Sequence, residues 1–188
     1  LEEYFDGRMW RGSLETCVAR SIDISQRTGQ PFIWLTCTNR GAAEVSAAAV
    51  RCLGITEAEL QKGFLPDPQS KSELRIVARP GVLVRLTRNE DKARGFVNGA
   101  IGIIVEALRG NAVFTVLLQQ TGNMVVVSPM EEDGQVFLPC CYGYATTVRR
   151  VQGASLDYGC LYFDQSRHAT GRGYGHESAP DPVWTLFP

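Results

Sequence analysis

The order of apolar and polar positions divides the chain into two kinds of pattern. From Ser13 to Gly29 the apolar residues Leu14, Cys17, Val18 and Ile22 recur at helical spacing, which predicts a one-sided helix with Ser13 as N-cap and Gly29 as stop. After Pro31 the run F-I-W-L-T-C-T is continuously apolar and rich in β-formers, as a buried parallel strand is. A polar turn, Thr38-Asn39-Arg40-Gly41, leads into A-A-E-V-S-A-A-A-V-R-C-L-G, a second predicted helix ending at Gly54. Thr56 and Glu59 form a capping-box signature for a further short helix, and Leu74 to Ala78 reads as a short strand.

Beyond Pro80-Gly81 the pattern changes to short β segments, V-L-V-R-L-T-R, A-I-G-I-I-V-E-A-L, A-V-F-T-V-L-L and M-V-V-V-S. The turn signals Asn98-Gly99, Gly110-Asn111 and Gly122-Asn123 separate them, which predicts a small antiparallel β-barrel inserted into an α/β domain. The acidic turn Glu131-Glu132-Asp133-Gly134 closes the insertion, Val136 to Leu138 leads back to the main sheet, and G-C-L-Y-F-D gives one more buried strand. The expected division is 1–80 for the first part of the α/β domain, 81–134 for the insertion, 135–175 for the return and 176–188 for a divergent tail.

Composition narrows the class. The chain has 188 residues, 44% hydrophobic and 21% charged, the balance of a globular protein of one or two domains. No apolar run is long enough to span a bilayer, so no membrane partner is expected. The start, Leu1-Glu2-Glu3-Tyr4, lacks signal-peptide character and an initiator Met, and is read as an internal piece of something longer. Cys17, Cys37, Cys52, Cys140, Cys141 and Cys160 include no C-x-x-C pair and are read as reduced thiols of an intracellular protein, nuclear or mitochondrial if eukaryotic and otherwise cytoplasmic. His168 and His176 stand in a polar region and are not read as metal ligands, and the alternating Tyr142, Tyr144, Tyr158 and Tyr162 are read as packing residues. A net charge of −1 argues against nucleic-acid binding by bulk positive field, although the cations are 16 Arg against 3 Lys, and arginine suits bidentate phosphate contact. A codon bias would give the same skew.

Three stretches carry candidate chemistry. The turn holding Thr38, Asn39 and Arg40 ends a strand and starts a helix, where free N–H groups can receive a phosphate; Thr38-Asn39 is equally a plain helix cap. Arg85, Arg88, Lys92 and Arg94 bring four cations to about one hairpin, enough for several phosphate contacts unless Glu90 and Asp91 pair with them. In Y-G-Y-A-T-T-V-R-R-V-Q-G-A-S-L-D, residues 142–157, Thr146 is expected to end a strand, Thr147 to start a helix and Gly153 to end it. The two hydroxyls and the helix N-terminus would then converge on a DNA phosphate.

These stretches, W-L-T-C-T-N-R-G-A-A-E-V, R-L-T-R-N…G-F-V-N-G-A-I-G and Y-A-T-T-V-R-R-V-Q-G-A-S-L-D, resemble the second RecA-like domain of RecD/Pif-type superfamily-one DNA helicases. The resemblance runs from Leu1 to about Gly175. It implies a RecA-like, P-loop NTPase-type three-layer α/β domain with a small antiparallel β-barrel insertion, and a 5′-to-3′ motor acting on single-stranded DNA as a monomer. It implies DNA contact by Thr38, Asn39, Arg85, Arg88, Asn98, Thr146, Thr147, Arg149 and Arg150, and coupling to nucleotide through Arg40, Gln152 and Gly153. Many members carry His where Arg149 stands and Lys where Arg150 stands.

ATP and Mg²⁺ would lie between this domain and a first RecA-like domain that the sequence does not contain. None of the three lysines falls in a G-x-x-x-x-G-K-[ST] loop, so this chain alone is expected to bind neither. The arginine strand A-[LV]-S-R-[AV]-R is also missing: Arg172 to Gly175 looks like its approach, and Ser166-Arg167 falls too early in register. Pro180, Pro182 and Pro188 make a central strand unexpected in the tail. The rivals are a stand-alone single-stranded nucleic-acid-binding module using the barrel, Arg85 and Arg88, and a non-functional remnant.

Overall fold

The computed structural model describes residues 9–10, 12–107, 112–151, 156–164 and 184–187. The chain forms two compact units, one of residues 1–52 with 144–188, the other of residues 53–143.

The first unit is a five-stranded sheet with helices. Its strands are β1 (Met9–Trp10), β2 (Phe32–Thr36), β10 (Ala145–Thr147), β11 (Tyr158–Tyr162) and β12 (Trp184–Phe187), in the order β1-β12-β11-β2-β10. β2 pairs in parallel with β10 on one side and β11 on the other, which is why its apolar run is nearly unbroken. Helix α1 (Leu14–Thr28) starts where the Ser13 hydroxyl accepts the Thr16 N–H at 3.2 Å and stops at Gly29. It packs on α2 (Asn39–Cys52), burying Cys17, Val18 and Ser21. Trp34 donates its indole N–H to the Ser21 hydroxyl at 2.9 Å, and Trp10 stacks on Phe32 at 5.6 Å with the Arg20 guanidinium over its ring.

Two expectations for this unit are corrected. The tail does supply a strand: β12 pairs antiparallel with β11 and with β1, an interior place in the sheet. Pro180, Pro182 and Pro188 lie outside the run W-T-L-F, so no ladder N–H is lost within it. Thr147 does not start a helix; it ends β10, and Val148–Val151 forms a single 3-10 turn.

The second unit holds the antiparallel strands β3 (Leu83–Leu86), β4 (Ile101–Ala107), β5 (Phe114–Leu118), β6 (Met124–Val127) and β9 (Cys140–Tyr142), in the order β6-β5-β4-β3-β9. An α/β domain carrying an inserted antiparallel unit is thus what the chain folds into; the hydrogen-bonded ladder runs from β6 to β9 without closing on itself among the described residues. β7 (Met130–Glu132) and β8 (Gln135–Phe137) form a separate hairpin whose turn, Asp133-Gly134, has φ of 53° and 75°, the left-handed pair that a tight hairpin requires.

This unit is wider than the span 81–134. Helix α3 (Glu57–Lys62) opens it with the expected capping box, and residues 64–67 then run beside 138–140, with Leu138 N–H bonded to Leu65 O at 2.9 Å. Leu74 to Ala78 is not a strand: Ile76 makes one isolated bridge with Phe64, and the Val77 N–H goes to the Tyr142 hydroxyl at 3.0 Å. Burial pushes that hydroxyl's pKa up to about 12.

Asp67 joins the pieces. Its side chain is 0% exposed, and its carboxylate accepts both Nε and an Nη of Arg88 (2.6 and 3.0 Å), the Thr87 hydroxyl (2.6 Å) and the Gln69 N–H (2.8 Å). Burial alone would raise this carboxyl, but the Arg88, Thr87 and Gln69 bonds outweigh it and hold the pKa below the ordinary Asp value. Arg88 also reaches Glu132 at 2.7 Å and lies over the Phe137 ring. Arg88→Ala would leave a buried carboxylate unpaired and should cost roughly 3–5 kcal/mol, measured by urea unfolding. Because the folded pKa is depressed, the wild-type contribution is whole above the ordinary Asp range. It should fade as pH falls through the lower folded pKa, a step in acid unfolding that the variant should lack.

Candidate nucleic-acid interface

The parallel strands of the first unit end level with one another. Thr36 is in register with Thr147 of β10 and with Tyr162 of β11, so the residues after each strand emerge at one edge of the sheet. From β2 the chain turns through Cys37 and Thr38 into α2. The Thr36 hydroxyl fixes the turn by donating to Thr38 O at 2.8 Å, and Thr38 Oγ1 accepts the Gly41 N–H at 3.0 Å, which makes Thr38 a helix cap.

Asp164, two residues beyond β11, reaches into the same turn. Its carboxylate accepts the Cys37 N–H at 3.0 Å, the Thr38 N–H at 3.1 Å and the Thr38 hydroxyl. Partial burial, and after it the Asp164 charge, raises the Cys37 thiol above its ordinary pKa. A second tie joins the same elements: the Tyr162 hydroxyl donates to Glu44 at 3.1 Å, and the other oxygen of Glu44 accepts from Arg40 at 3.1 Å. Arg40 is therefore held along the surface of α2, and Asn39 is exposed beside it.

Thr146 and Thr147 do not converge. Successive strand residues face opposite sides of a sheet, so Thr147 shares the face of Thr36 and Tyr162, while Thr146 shares that of Leu35 and Leu161. Thr146 is 3% exposed, and its hydroxyl has no hydrogen-bond partner among the described residues. Arg149 and Arg150 follow in the 3-10 turn and are exposed. Gln152, Gly153, Ser166-Arg167, His168, Arg172 to Gly175 and His176 lie outside the described residues.

The second unit treats its four cations differently from the sequence expectation. Arg88 is consumed by Asp67 and Glu132 and is 18% exposed. Arg85 lies within β3, donating to Cys141 Sγ at 3.1 Å, with its Nε buried and unbonded among the described residues. Lys92 and Arg94 are exposed, Arg94 lying 3.6 Å from Asp91, the internal pairing foreseen as the alternative. Asn98 is exposed and gives its backbone N–H to the Asn89 side chain at 2.9 Å. Among the described residues no three His, Cys, Asp or Glu side chains are grouped to hold a metal, and no helix is long and apolar enough to cross a membrane.

No family model matches the chain. Over 102 residues it is 30% identical to the ATP-dependent DNA helicase PIF1 of Xenopus laevis, an overlap of 50% of this chain and 16% of that protein. In sequence the chain is thus similar to part of a Pif1 DNA helicase, and it spans about a sixth of the length of the relative it matches. Among solved structures it aligns with the Bacteroides Pif1 helicase in complex with ADP-AlF3 and ssDNA, at 19% identity and a TM-score of 0.48 over 79% of this chain and 42% of that one. With the Candida albicans Pif1 helicase the values are 16%, 0.46, 77% and 46%.

Because the Thr146 hydroxyl is buried without a partner among the described residues, Thr146→Val should leave the protein as stable or more stable by up to about 1 kcal/mol in urea unfolding. A loss of stability would mean that the hydroxyl has a partner.

Proposed function

We propose that the chain supplies the DNA-gripping and coupling half of an ATP-dependent 5′-to-3′ DNA helicase, its first unit serving as the second RecA-like domain. The observation that carries this reading is the 30% identity, over half of the chain, to a protein named as an ATP-dependent DNA helicase. The level strand ends support it, since ligands of open α/β sheets bind outside the carboxyl ends of the strands.

In this reading single-stranded DNA crosses the edge where β10 ends. Arg149 and Arg150 supply exposed cations there, Asn39 lines the approach, Thr147 ends the strand beneath it, and Arg40, Gln152 and Gly153 link the grip to nucleotide state. ATP and Mg²⁺ would be held mainly by another RecA-like domain. This chain's own residues do not fit a triphosphate: it has no G-x-x-x-x-G-K-[ST] loop, and the N-terminus of α2 already holds the Asp164 carboxylate. No step through the nucleotide is assigned to them.

A rival reading, a nucleic-acid-binding module acting through the second unit, draws on the exposure of Lys92 and Arg94. A fluorescein-labelled oligothymidine titrated at low salt and followed by anisotropy separates the two. We expect salt-sensitive binding that the pair Arg149→Ala and Arg150→Ala weakens, lowering the salt slope by about one per lost phosphate contact. Binding that only Lys92→Ala and Arg94→Ala weakens would establish the rival instead, and no binding at low salt would remove both. The isolated chain should show no ATPase activity with or without DNA, and DNA-stimulated hydrolysis would overturn that expectation.

A further inference from the structure

The turn between β2 and α2 was expected to offer free N–H groups to a phosphate. We propose instead that Asp164 is a specificity-determining residue of this turn: its carboxylate stands where an anion would sit and closes the N-terminus of α2 to phosphate. The inference concerns the chemistry of one turn and does not rest on the helicase reading.

Three observations support this. Its two oxygens take the Cys37 and Thr38 N–H groups and the Thr38 hydroxyl, the donors that a phosphate oxygen would use. Next in the helix, the Gly41 N–H is taken by Thr38 Oγ1 and the Ala42 N–H by Thr38 O at 3.2 Å. Gly41 is shaped to the carboxylate: a Cβ there would lie 2.8 Å from Asp164 Cβ and nearer still to the carboxyl group, so only glycine leaves the space that Asp164 fills.

Charge points the same way. A helix N-terminus carries about half a positive charge, and one carboxylate in contact with it more than cancels that. The neighbouring cation, Arg40, is paired with Glu44 at 3.1 Å rather than with Asp164. Asp164 also ties the end of β11 to the end of β2, so the anion that fills the turn belongs to the sheet itself. An anion approaching this edge therefore meets an occupied turn on the β2 side.

Inorganic phosphate titrated into the full chain, with the amide chemical shifts of Cys37 to Ala42 as readout, tests this. Wild type should show no saturable shift at these amides. Asp164→Ala should gain saturable binding, at least about tenfold tighter than any wild-type value, because it vacates the position and removes the charge. Asp164→Asn keeps an acceptor oxygen without the charge and should fall between the two; it also serves if Asp164→Ala fails to fold. Gly41→Ala should push the carboxylate out and shift the Cys37 and Thr38 amides without creating a strong phosphate site, since the negative charge stays nearby. Wild-type binding equal to that of the folded variants, or no gain in either Asp164 variant, would overturn the proposal. Oligonucleotide affinity is a separate measurement, so failure here leaves the DNA-gripping reading standing, and the reverse holds too.

Discussion

The parallel pairing of Phe32–Thr36 on both sides is the constraint on which the candidate site depends. Its partners, Ala145–Thr147 and Tyr158–Tyr162, come from the far end of the chain, so the central strand gains them only after the intervening residues have been made. Such pairing closes a loop of more than a hundred residues before it is rewarded, which favours slow assembly. It also fixes the strand ends in register, bringing the Thr38 turn, the Arg149-Arg150 turn and Asp164 to one edge. A one-residue slip of β10 would exchange Thr146 and Thr147 between faces and undo that arrangement.

Local chemistry was legible wherever it is decided within a few residues. Ser13 and Gly29 bound α1, Thr56 and Glu59 form their reciprocal cap, and Asp133-Gly134 turns a hairpin, because each depends on neighbours in sequence. The central strand was legible too, since only a strand covered on both faces can be as apolar as F-I-W-L-T. Legibility failed where long-range partners decide. Leu74 to Ala78 has strand-like composition but no neighbour to form a ladder with, and its N–H groups go to Phe64 and to the Tyr142 hydroxyl. In the tail, prolines at 180, 182 and 188 suggested no strand, yet four residues between them suffice when Tyr158–Tyr162 offers an open side.

The arginines show a deeper limit. A guanidinium presents the same fork to a phosphate and to a carboxylate, so a cluster such as Arg85 to Arg94 cannot reveal its partner by spacing. In the fold, Arg88 meets Asp67, 21 residues earlier, and Glu132, 44 residues later, so one arginine of the apparent basic hairpin is spent on the protein's own carboxylates. Asp67 itself sits between two prolines in a stretch that reads as a loop, and nothing in that stretch shows that its carboxylate is buried.

Asp164 is the same lesson at the site. Its one sequence signal is an acidic residue just past a strand, L-Y-F-D, and the turn it fills lies 126 residues away. Gly41 is the complementary half of that signal, because a helix's first turn seldom needs glycine unless something occupies the space of its Cβ. Taken together, the two residues change how the T-N-R turn reads: the groups that make it resemble a phosphate cradle are those that the fold uses to bind its own carboxylate. Arg149 and Arg150, in the 3-10 turn after Thr147, are exposed at the same edge, whereas the T-N-R turn is filled from within the fold.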